Sequence, residues 1–70
     1  MEEKKAKLEA ALYLAEEPIE RKEIADIMNL GSIGYVDMLI QEFEEMLEEE
    51  HRGLEVIHTN EGYELKVKKD

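Results

Sequence analysis

The chain has no cysteine. That excludes disulfides and thiolate metal sites, and with them a common way of stapling a small secreted domain. No apolar run approaches the roughly 18 residues a membrane-spanning helix needs. The opening Met1-Glu2-Glu3-Lys4-Lys5 carries mixed charge and lacks the apolar core of a signal peptide. Together these absences lead to the expectation of a cytoplasmic protein. There is no phosphate-cradling loop, because Gly31-Ser32-Ile33-Gly34 lacks both the required spacing and the lysine. Between Gly31 and Glu50 there is no Lys or Arg at all.

What that last stretch does hold is acid. Asp37, Glu42, Glu44, Glu45, Glu48, Glu49 and Glu50 place seven carboxylates in twenty residues. Residues 1–30 carry eight acidic and five basic side chains, or −3, residues 31–50 carry −7, and residues 51–70 carry four of each, which sums to the net −10. The excess therefore lies on one element. Seventy residues make one small domain. A chain of that size buries only about 60% of its unfolded surface, so its stability alone is marginal and oligomerisation is a common remedy.

Hydrophobic periodicity gives the elements. Leu8, Ala11, Leu12 and Ala15 recur at helical spacing and mark the core stripe of a first helix, about Glu3 to Glu16. Ala6, Ala10, Tyr13 and Leu14 repeat the spacing on the other side, which leaves a second apolar face to be covered. Glu17-Pro18 stops this helix. A second runs from about Arg21 to Met28, with Ile24, Ile27 and Met28 inward. Ile19 and Ile24 are spaced as a hydrophobic staple, and Glu20 is a weak N-cap. Asn29-Leu30-Gly31 forms the turn. Ser32 is the expected N-cap of a long third helix reaching Arg52, and Gly53 its terminator. Its core stripe is Val36, Leu39, Ile40, Phe43 and Leu47, with Tyr35, Met38 and Met46 to one side.

Alternation then replaces the helical period. Leu54–Thr59 and Tyr63–Lys68 read as strands joined by Asn60-Glu61-Gly62, with Leu54, Val56, Tyr63, Leu65 and Val67 inward. Three helices followed by a β-hairpin make a small α+β winged helix-turn-helix domain spanning residues 1–70. The hairpin is the wing.

No constellation for catalysis emerges, and no catalytic, cofactor-binding or metal residue is expected. Ser32 is explained by capping and has no histidine near it in sequence. Glu44 and Glu45 point about 100° apart on a helix, with no apolar cleft evident to shift a pKa. His51 and His58 straddle a helix–strand boundary with no carboxylate spaced to complete a metal set, so both read as surface side chains. Nucleic acid is the alternative the scaffold suggests, as in a DNA-binding transcriptional regulator. Duplex DNA is bound largely through phosphate neutralisation by Lys and Arg, which the third helix lacks. Its one amide, Gln41, is isolated, and base edges are read by Arg, Asn and Gln. Lys66, Lys68 and Lys69 near the wing, and Lys4, Lys5 and Lys7 near the start, would support only weak contact. The third helix is therefore not expected to bind DNA. The spare apolar residues point to a protein interface made of Ala6, Ala10, Tyr13, Leu14, Tyr35, Met38 and Met46.

Several segments resemble one family. Leu8-Glu9-Ala10-Ala11-Leu12-Tyr13-Leu14-Ala15-Glu16-Glu17-Pro18 resembles the opening of segregation and condensation protein B, ScpB. Glu23-Ile24-Ala25-Asp26-Ile27-Met28-Asn29-Leu30 is similar to its second helix. Arg52-Gly53-Leu54-Glu55-Val56-Ile57 and Gly62-Tyr63-Glu64-Leu65 are similar to its wing. The resemblance implies a non-catalytic subunit of the prokaryotic condensin, acting in chromosome condensation and segregation. It implies a homodimer that binds the kleisin ScpA and, through it, the Smc ATPase, which would associate it with the nucleoid. The family carries two winged-helix domains in tandem, and this chain matches the first. It is thus expected to be the N-terminal domain of a longer protein. Glu20 departs from the Ser or Thr usual before the second helix, which bears on capping.

Overall fold

A computed structural model describes residues 2–69. Helix α1 spans Glu2–Leu14, α2 Arg21–Ile27 and α3 Gly34–Glu49, followed by strands β1 (Leu54–Thr59) and β2 (Gly62–Val67). The strands form an antiparallel hairpin in which Leu54 faces Val67, Val56 faces Leu65 and His58 faces Tyr63. This is the three-helix-plus-wing architecture expected from the periodicity. At the tip, Thr59 Oγ1 accepts hydrogen bonds from the backbone N–H groups of Glu61 and Gly62, each at 3.0 Å.

One connection was not legible in the sequence. Ile19, between α1 and α2, pairs with Tyr63 as a single-residue bridge. The Ile19 N–H donates to the Tyr63 carbonyl at 2.9 Å, and the Tyr63 N–H donates back at 3.0 Å. The bridge ties the wing to the start of α2. It also explains Gly62, whose φ is 142° and where a Cβ would lie 2.1 Å from the Ile19 carbonyl oxygen. Only glycine accommodates both that backbone angle and that approach.

The core is the layer where α1, α2, α3 and the wing meet. Leu8, Ile24, Val36, Ile40 and Phe43 are its fully enclosed side chains, and Leu12, Ile19, Ala25, Met28, Leu39, Leu47, Val56 and Tyr63 complete it. Ala11, Ala15, Ile27, Leu54 and Leu65 are half-buried at its margin.

Several boundaries differ from expectation. Helix α1 ends at Leu14, not Glu16. Carboxylates at 16 and 17 would oppose the negative end of the helix dipole, and Pro18 disfavours helical geometry at Glu17. Ser32 does not cap α3. The N-cap position is Ile33, already helical at φ −66° and ψ −28°, with no side-chain cap bond. The first turn closes on backbone instead, the Tyr35 N–H donating to the Ser32 carbonyl at 3.3 Å and Val36 to Ile33 at 2.9 Å. Helix α3 also stops before Arg52. His51 adopts φ 51°, and the N–H groups of His51 and Arg52 donate to the carbonyls of Glu48 and Leu47. That 5→2 and 6→1 pair closes the helix at His51, ahead of Gly53. The same pair ends α2, with Asn29 at φ 57° as the left-handed residue. Glu20, as expected, makes no side-chain cap bond. Val67, assigned inward, is 73% exposed. It sits at the open end of the hairpin, opposite Leu54.

Candidate protein-interaction surfaces

The buried stripe of α3 divides its exposed surface into two flanks. Asp37, Gln41, Glu44 and Glu48, spaced i, i+4, i+7 and i+11, lie together on the wing side. Here the carboxylates have partners from other elements. Asp37 accepts from Arg21 Nη2 at 2.7 Å through one oxygen and from the Tyr63 hydroxyl at 2.8 Å through the other. Glu44 contacts His58 Nε2 at 2.9 Å, and the His58 ring stands edge-on to Tyr63 with centroids 5.0 Å apart. Glu48 pairs with Lys68. Partial burial and the Asp37 carboxylate together raise the Tyr63 pKa above its ordinary 10.0. The Lys68 hydrogen bond holds the Glu48 carboxyl below 4.5, and Glu48 in turn raises Lys68 above 10.5. At the far end of α3, Arg52 bridges Glu9 of α1 at 2.7 Å and Glu50 at 3.3 Å. No buried side-chain polar atom among the described residues lacks a partner.

The other flank carries Tyr35, Met38, Glu42, Met46 and Glu49, spaced i, i+3, i+7, i+11 and i+14, with Glu45 adjoining. Among the described residues, Glu42, Glu45 and Glu49 make no ion pair. Tyr35 and Met38 are more than half exposed, at 56% and 57%. With Leu30, Leu39, Glu42 and Lys4 they line an open groove of about 350 Å³. Met46 is half-buried and packs on the core, so it offers less free surface than its position off the stripe suggested.

On α1 the sequence-selected residues lie together away from the core. Ala6, Ala10 and Tyr13 form an exposed stripe opposite Leu8 and Leu12. Tyr13 is 73% exposed and Leu14 77%. Leu14 leans toward a shallow groove shared with Pro18 and Ile27 of the neighbouring turn and helix. The seven candidate residues thus fall on two surfaces, four on α1 and three on α3. Two exposed hydrophobics escaped the sequence reading, Ile33 at 42% and Val67 at 73%. Ile33 was hidden by the assignment of Ser32 as cap, and Val67 by simple alternation.

The remaining chemistry is structural. Lys66 and Lys68 on the wing are each paired with a carboxylate, Glu64 and Glu48. His58 faces Glu44, and no group of three potential metal ligands occurs among the described residues. No described helix is long and apolar enough to cross a membrane.

Comparison with known proteins decides the family. Residues 6–70 match the family model of the segregation and condensation complex subunit ScpB. The chain belongs to the ScpB family. No curated protein matches it. Among solved structures, the crystal structure of ScpB from Mycobacterium tuberculosis superposes with a TM-score of 0.82 over 97% of this chain, at 24% identity. That likeness shows a shared fold. The chain spans 42% of the length of the Mycobacterium tuberculosis protein.

Proposed function

We propose that this chain is a non-catalytic, homodimerising winged-helix scaffold of the prokaryotic condensin, holding the kleisin ScpA and, through it, Smc. It acts in the cytoplasm on the nucleoid, in chromosome condensation and segregation. The observation that carries the reading is the family match across residues 6–70. It serves as the N-terminal winged-helix domain of a longer two-domain protein, which accords with its spanning 42% of the related structure.

The α1 stripe is the surface we assign to the homodimer. Ala6 and Ala10 let two helices approach closely, and Tyr13 and Leu14 supply apolar area at the edge. A standard interface removes about 800 Å² per partner from water. That burial would add stability to a domain too small to enclose a large core. Sedimentation of wild type against Tyr13→Glu tests this surface: a dimer is expected for the first and a monomer for the second. Co-elution of the full-length parent protein with ScpA in size exclusion tests the role, and its failure would remove the condensin assignment while leaving the dimer intact.

A further inference from the structure

The outer flank of α3 combines an apolar groove with carboxylates that the rest of the described chain leaves unneutralised. We propose that this groove docks a cationic amphipathic helical segment of a different protein.

The apolar floor comes from Leu30, Tyr35, Met38 and Leu39. Glu42 stands at its rim, and Glu45 and Glu49 carry the acidic row along α3 beyond the groove. Tyr35 to Glu49 is fourteen residue steps (49 − 35), about 21 Å along a helix. A partner helix of about four turns matches that length, with apolar anchors at i, i+3 or i+4, and i+7 in the groove. Lys or Arg beside those anchors would meet the rim. Among the described residues, Lys4 is the one cation lining the groove, at its α1 edge.

Charge selects this occupant over others. A second copy docking on this flank would bring three more carboxylates and no added cation beyond its own Lys4, and apposed like charges are penalised. Nucleic acid and anionic lipid are repelled for the same reason. The wing-side carboxylates do not compete for the cation, because Asp37, Glu44 and Glu48 already face Arg21, His58 and Lys68. Docking of such a segment does not depend on the role in the condensin.

The test uses the isotopically labelled chain and three peptides of about 15 residues, long enough to cover the flank. One is an amphipathic Leu/Lys helix, the second replaces Lys with Glu, and the third scrambles the first to keep charge and lose amphipathicity. We expect saturable binding of the first alone, with NMR shifts concentrated at Leu30, Tyr35, Met38 and Met46. Tyr35→Ala with Met38→Ala should weaken binding about tenfold or more, as loss of central anchors does. Met38→Gln alone serves as a second variant that keeps side-chain length. Glu42→Gln with Glu45→Gln and Glu49→Gln should weaken binding several-fold at low salt and little at high salt, whereas Asp37→Asn should change it less than about twofold. Equal binding of the scrambled peptide, or shifts clustered on the wing or on Ala6, Ala10 and Tyr13, would overturn the proposal. So would sedimentation showing that Met38→Glu dissociates a wild-type dimer, since that would give the groove to a second copy.

Discussion

The two flanks of α3 carry the same residue type and have opposite fates. On the wing side, Asp37, Glu44 and Glu48 each meet a basic or histidine partner from α2 or the hairpin. On the outer side, Glu42, Glu45 and Glu49 meet none among the described residues and sit beside exposed Tyr35 and Met38. A carboxylate on the first flank helps fasten the wing to the helical layer. One on the second is left for whatever approaches from outside. Acidity summed along a helix therefore says little about a surface until the neighbouring elements are placed.

The comparison breaks most completely if the wing is displaced. Gly62→Ala should do this, because its methyl would collide with the Ile19 carbonyl and force a left-handed alanine. Overpacking and backbone strain together suggest a loss of about 3 kcal/mol, read by urea denaturation. A loss under about 1 kcal/mol would mean that the Ile19–Tyr63 bridge is not a close contact in solution. Next in size is Asp37→Asn, which weakens the Arg21 pair and the Tyr63 hydroxyl bond together. About 1 kcal/mol is expected, discounted because Arg21 and Asp37 are half exposed. The same chemical change on the outer flank, Glu42→Gln, should stay within about 0.5 kcal/mol. Equal losses at Asp37 and Glu42 would erase the distinction between the flanks.

The smallest effects are those of pH. The depressed Glu48 pKa contributes stability that is full above its ordinary 4.5 and fades as pH falls through the folded value. Lys68 and Tyr63 are both raised, so their contributions are full below their ordinary 10.5 and 10.0 and are lost as pH rises through the folded values. Glu48→Gln should flatten the acid side of the stability profile slightly, since the pair is exposed and screened. Asp37→Asn should lower the pH at which Tyr63 ionises, followed by tyrosine absorbance, because it removes the carboxylate that disfavours the phenolate.

Much of the fold was legible because periodicity reports burial directly. Val36, Leu39, Ile40, Phe43 and Leu47 were readable as the inner stripe of α3, and all five are buried. The alternation from Leu54 onward marked the hairpin, although its second strand is Gly62–Val67, one residue earlier than Tyr63–Lys68. Ends were harder. The left-handed residue that closes α3 is His51 and not Gly53, because a side chain at that position is tolerated once two backbone bonds hold it. The candidate surfaces were half legible. Tyr13, Leu14, Tyr35 and Met38 stood off the core stripes and are exposed. Met46 stood off its stripe too, yet packs on the core.

By itself, then, the sequence determined the order of elements, the inward face of each helix and an acidic third helix. These follow from side-chain spacing along one element, which is local information. The tertiary structure decided which carboxylates are neutralised and that Ile19 joins the sheet edge. Each of those depends on where residues such as 21 and 37, 44 and 58, 48 and 68, or 19 and 63 meet in space. Ion pairs and strand bridges act over a few ångströms and carry no periodic signature, so only the packing of one element on another reveals them.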